Sequence, residues 1–95
     1  MNKTEYLLTV LMEECAEVAQ RASKAIRFTL EEIQPGMHEG YQDTNKRRLE
    51  RELGDLLAVM QELGLTIHEE DVLLKLKKLD KYMDYSRKLG TLEAS

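Results

Sequence analysis

One cysteine, one proline and five glycines are all that this 95-residue chain has of the residues that staple, kink or loosen a fold. The lone Cys15 excludes an internal disulfide and a zinc cluster built from several thiolates, and it fits a reducing compartment. So few breakers, beside abundant Leu, Glu and Lys, favour an all-α domain over a sheet. Long apolar runs are missing as well. No stretch approaches the ~18 uninterrupted apolar residues of a membrane span, and the opening MNKTEYLLTVLMEE meets acids too soon for a signal peptide. A soluble, cytoplasmic protein is the expectation. Basic residues are not in surplus: the formal charge is −4, which argues against a general nucleic-acid binder. No glycine-rich loop is present to grip phosphate, and neither His38 nor His68 forms the Glu-x-x-His of carboxylate-bundle di-iron sites, so both read as non-catalytic.

What is present is helical periodicity. The first helix is predicted from about Lys3 to about Phe28, capped by Asn2, with Leu7, Val10, Leu11, Val18, Ala22 and Ala25 on one side. The segment TLEEI then either continues it or makes a separate short turn. Residues 34–45 hold the only proline and two glycines and read as a loop. A second helix opens near Thr44 or Asn45 and runs to about Leu63, with Gly64 as its stop. Thr66 and Glu69 offer a capping box for a third helix, which reaches about Leu89 with Val72, Leu76, Leu79, Met83 and Ser86 along one side. Gly90 ends it, and residues 91–95 read as a frayed tail. Short links imply antiparallel neighbours. The predicted fold is an all-α antiparallel bundle of three long helices, with room for a short fourth. A chain this small buries only roughly 60–65% of its unfolded surface, so oligomerisation is expected to complete the bundle.

Two acids stand where apolar residues belong. On a helical wheel of about 100° per residue, Leu7 and Ala25 fall within about 20° of Glu14, and Val10 and Val18 within about 40°. Glu17 lies at the edge of that stripe, about 60° from Glu14, with Glu13 about 100° off on the same edge. In the second helix Leu49, Leu56, Val59, Met60 and Leu63 mark the buried side, and Glu52 falls among them with Asp55 at the border. Residues three apart share one side of a helix, so Glu14-x-x-Glu17 and Glu52-x-x-Asp55 can converge when the two helices pack. A buried charge costs several kcal/mol in practice, and like charges add to that, so a cation is expected to offset it. All-oxygen ligands favour Mg²⁺, or Mn²⁺ as a substitute. Against this stands the common case in which acids on a helix are simply solvated; the facing of both pairs is what favours a site.

At these residues the chain resembles the MazG-like all-α nucleoside triphosphate pyrophosphohydrolase superfamily, whose signature is EExxE, a helical gap, then ExxD. Here the two halves read EECAE (13–17) and ELGD (52–55), with family-like flanks EVAQRASKAIR and LLAVMQELG. The resemblance covers essentially the whole chain, read as a single domain of residues 1–95. It implies Mg²⁺-dependent cleavage between the α- and β-phosphates, giving a nucleoside monophosphate and pyrophosphate, in a helical homodimer or homotetramer. It also implies Glu14, Glu17, Glu52 and Asp55 as metal ligands, with Glu13 as the accompanying acid. The gap between the motif halves is longer than the family usually has, and the last helix, with Lys78, Lys81 and Arg87, lacks the Asn many relatives carry there.

Either Glu13 or Glu14 could orient or deprotonate the attacking water. Lys24 lies two turns beyond Glu17, and Arg48 and Arg51 lie two turns and one turn before Asp55, so each could meet the substrate's phosphates; surface ion pairs are the ordinary alternative. Tyr82 and Tyr85 could stack on a base but more often serve packing, and Cys15, pointing about 100° from Glu14, reads as a small packing residue. The competing function is a non-catalytic helical module that binds metal or nucleotide or drives oligomerisation through the same acids.

Overall fold

The structure, a computed structural model, describes residues 1–33 and 43–94. The predicted loop beyond Ile33, as far as residue 42 and including His38, lies outside the described residues, as does Ser95 at the end of the tail. Three helices follow in order: α1 (Lys3–Phe28), α2 (Asn45–Glu62) and α3 (Glu69–Leu89). No strand occurs among the described residues, so the protein is all-α. None of its helices is long and apolar enough to cross a membrane among those residues. The chain divides into two compact units, Met1–Leu65 and Thr66–Ser95.

The first unit is an antiparallel pair. The Asn2 side chain caps α1 by accepting from the Glu5 amide at 2.8 Å, as its sequence position predicts. Lys3, at the start of α1, lies 3.9 Å from Glu62 at the end of α2, while Thr29 and Asn45 meet at the opposite end. Leu7, Val10, Leu11, Val18, Ala22 and Ala25 of α1 and Leu49, Leu56, Val59 and Met60 of α2, with Leu63 at its C-terminal cap, are half-buried apolar residues that match the two predicted stripes. No apolar residue among those described is fully buried. Two helices cover only one side of each other, so their stripes dry out partially.

TLEEI neither extends α1 nor forms a helix. α1 stops at Phe28, and Thr29 takes φ 74° and ψ 161°, a region that strains a β-branched residue. The chain then bends at Leu30 and Glu31 and reaches an antiparallel bridge between Ile33 and Thr44. The Asn45 amide donates to Glu32 O at 3.0 Å, and the Lys46 amide to Leu30 O at 2.8 Å. The Asn45 side chain is 1% exposed, and its Nδ2 donates to Thr29 O at 2.8 Å. This one residue therefore ties the strained end of α1 to the first turn of α2. Thr44 caps that turn, accepting from the Arg47 amide at 3.1 Å. Asn45→Ala should leave the Thr29 carbonyl without its buried donor and lower unfolding free energy by about 1–3 kcal/mol. Urea unfolding of the two proteins measures this, and an unchanged midpoint would contradict the tie.

Both glycine stops hold. Gly64 (φ 74°) follows α2, with its amide on Gln61 O and the Leu65 amide on Met60 O. Gly90 (φ 80°) follows α3, with its amide on Arg87 O and the Thr91 amide on Ser86 O. Each is the paired-bond ending that the left-handed conformation of glycine permits. The start of the tail is thus held by Ser86 O, which also accepts from the Thr91 hydroxyl at 3.3 Å. The predicted capping box of α3 does not form. The helix begins at Glu69, with His68 at the cap position and no side-chain cap bond. Glu69 is then a first-turn residue and cannot reach back to Thr66. Three carboxylates, Glu69, Glu70 and Asp71, instead sit in the first turn, where the helix dipole favours negative charge. Along α3, Val72, Leu76, Leu79 and Met83 of the predicted stripe are exposed, and only Ser86 is half-buried.

Candidate metal centre

Glu14 and Glu17 stand one turn apart on α1, and Glu52 stands on α2 where that helix crosses them. One carboxylate oxygen from each of the three lies within 4.8 Å of the others. The stripes that pair the helices bring these acids together, because Glu14 and Glu52 occupy positions inside them. Glu14 and Glu52 are half-buried, whereas Glu17 is exposed. Asp55, one turn beyond Glu52, is exposed and outside the trio, yet its charge acts on Glu52. Glu13 is exposed on the rim of α1.

Burial raises the Glu52 carboxyl above the ordinary carboxylate range. A side-chain hydrogen bond with Glu17 and the charges of Glu17 and Asp55 push the same way, and Arg21 opposes them. Arg21 Nε lies 3.7 Å from Glu52 Oε1, with the two side chains 25% and 17% exposed. Meanwhile Glu14 Oε2 and Glu52 Oε2 are closed off from solvent without a hydrogen-bond partner. Buried oxygen lone pairs seldom go unused. A hard divalent cation suits them: it takes oxygen ligands, and Mg²⁺ characteristically binds through few carboxylates while retaining water or phosphate in its remaining positions.

No protein-family model, curated protein or solved structure matches the chain. The site is therefore read from its own residues.

The three predicted phosphate contacts take different positions. Lys24 is half-buried on α1. Arg48 is 5% exposed, one turn before Glu52. Arg51 is half-buried and forms an ion pair with Asp43, beside the bridge that closes the first unit. Cys15 is exposed rather than packed, because it points away from the only face of α1 that α2 covers. Tyr82 and Tyr85 are both exposed on α3, and His68 Nδ1 lies 3.8 Å from Glu70. Sequence reasoning missed Arg21 and Asn45. Arg21 carried a signal, since it stands seven residues after Glu14 and so on the same face of the helix. Asn45 carried none beyond its nearness to a helix start.

Proposed function

We propose that the protein is a Mg²⁺-dependent nucleoside triphosphate pyrophosphohydrolase that cleaves between the α- and β-phosphates, releasing a nucleoside monophosphate and pyrophosphate. The observation that carries this reading is the convergence of Glu14, Glu17 and Glu52 from two helices, with two of their oxygens buried and unpartnered. The motif halves EECAE and ELGD, which resemble those of the MazG-like enzymes, supply the reaction type.

Glu14, Glu17 and Glu52 would hold the metal, with Asp55 completing the acidic rim. Magnesium, when bound there, supplies charge neutralisation of the phosphate oxygens and polarisation of water. Glu13 on the exposed edge, or Glu14 within the trio, accepts a proton from the attacking water. Lys24, Arg48 and Arg51 supply positive charge to the anionic polyphosphate. Clearing unwanted nucleotides or adjusting nucleotide pools is a role that such an activity would serve.

Assembly into a homodimer or homotetramer belongs to the same proposal. Val72, Leu76, Leu79 and Met83 on α3, and Leu8 and Met12 on α1, are exposed large apolar side chains on a chain with no fully buried apolar residue among those described. A helical bundle completed by further copies would remove such surface from water at about 25 cal/mol per Å². Light scattering should give a mass of two or four chains at micromolar concentration, and a monomer whose mass ignores concentration would refute assembly. The same exposed faces also favour the second reading, a non-catalytic module that associates through its helices. Incubation with Mg²⁺ and a panel of nucleoside and deoxynucleoside triphosphates separates the two: pyrophosphate release from at least one supports the enzyme, and none under varied metal and pH supports the module.

A further inference from the structure

The geometry points to Arg21 as a built-in counter-cation of the glutamate trio, one that holds down the affinity of the empty site for free metal and presents positive charge to the incoming polyphosphate. This rests on the functional reading above and adds to it a residue that tunes how the site loads.

Four observations lead here. Arg21 projects from α1 one turn beyond Glu17, and its Nε approaches Glu52 Oε1 across the helix pair at 3.7 Å. That separation is an ion pair without a tight hydrogen bond, so the guanidinium neutralises Glu52 without locking it. It also addresses one oxygen only, because Glu52 Oε2 remains buried and unpartnered. Finally, both side chains are largely withdrawn from water, where charges act on each other more strongly than at a solvated surface.

The consequence is a trade-off at one carboxylate. Without metal, the guanidinium relieves repulsion among three clustered acids. The same positive charge opposes a divalent cation approaching those acids. A triphosphate brings about four negative charges of its own, and these reduce the opposition while giving the guanidinium a phosphate partner. Arg21 thereby couples loading of the site to arrival of the nucleotide, which strengthens metal binding without being required for it. It is a positioning and tuning residue, distinct from the ligands.

Isothermal titration of Mn²⁺ alone, and of Mg²⁺ alone, into wild type, Arg21→Gln, Arg21→Met and Arg21→Lys tests this. The two neutral variants should bind free metal roughly threefold to tenfold tighter, the scale expected from removing one partly buried charge. Arg21→Met keeps apolar contacts of the stem, so it serves if Arg21→Gln is too unstable to titrate. Arg21→Lys keeps the charge and should stay within about twofold of wild type. In steady-state assays, KM for the Mg²⁺–triphosphate should rise severalfold in the neutral variants, with a smaller change in kcat. A merely structural role would loosen the site, so that metal binding weakens. Equal or weaker metal binding in both neutral variants overturns the Arg21 role while leaving the enzyme reading intact. No metal binding to wild type or to any variant overturns both.

Discussion

Glu52→Gln should cut pyrophosphate release at least roughly 100-fold while making the metal-free protein more stable at neutral pH. The two effects share one cause. Glu52 sits within 4.8 Å of Glu14 and Glu17 through their carboxylate oxygens, and burial, the hydrogen bond with Glu17 and neighbouring charge all raise its pKa. A carboxyl whose folded pKa is raised binds its proton more tightly in the folded state than in the unfolded one. Its contribution is favourable below the unfolded pKa and is lost as pH climbs through the folded pKa. At neutral pH the ionised carboxylate is therefore a cost in the absence of metal, and the neutral amide removes it. Denaturant unfolding in a chelator from pH 4 to pH 8 measures the difference between the two proteins. The variant's advantage should grow with pH across the raised range and vanish near pH 4. An advantage that does not change with pH would contradict the assigned cause. Activity retained within a few-fold would remove Glu52 from the metal site.

Glu14→Gln should erase the stabilisation that Mg²⁺ gives to the wild-type protein. A ligand present at 100 times its dissociation constant stabilises a folded chain by about 2.7 kcal/mol, so the loss is large enough to read as a melting shift. Glu14 is the acid most deeply placed in the α1 stripe, half-buried, with Oε2 closed off and unpartnered. Replacing one oxygen by an amide nitrogen keeps the volume of the side chain while removing charge and a ligand atom. The metal-free variant should be at least as stable as wild type, since repulsion within the trio falls. Melting curves of both proteins with Mg²⁺ and with chelator decide the matter: equal metal-induced shifts would mean that Glu14 holds no metal. Together with Glu52→Gln, this variant separates a metal centre from a cluster of acids that only tolerates its surroundings.

A melting-point gain on removing a charge is unusual for surface acids, whose substitutions mostly change little. The expectation here follows from place rather than type. Glu13 and Glu17 belong to the same short motif but are exposed. The neutral variant of Glu13 should lack the stabilisation expected for Glu52, whereas that of Glu17, whose charge helps to raise the Glu52 pKa, should share part of it.

The sequence by itself determined the helices, their stops and the acids on the wrong faces. Helical periodicity is a local property, and the half-buried apolar residues of the α1–α2 pair are those the spacing named, with Glu14 and Glu52 half-buried among them. Asn2, Gly64 and Gly90 act through bonds to residues a few positions away, which is why their roles were legible. The false capping box shows the limit of that logic: a shift of two residues in where α3 begins turns Glu69 from a cap partner into a first-turn residue. Only the tertiary structure decided what crosses between helices. Arg21 meets Glu52, and Asn45 takes the Thr29 carbonyl, because two chain segments far apart in sequence are held side by side. It also decided that Asp55 and Glu13 lie outside the close trio, since the covered strip between two helices is narrow. A wheel gives the direction of each side chain, but the depth at which it meets its partners depends on how the helices pack.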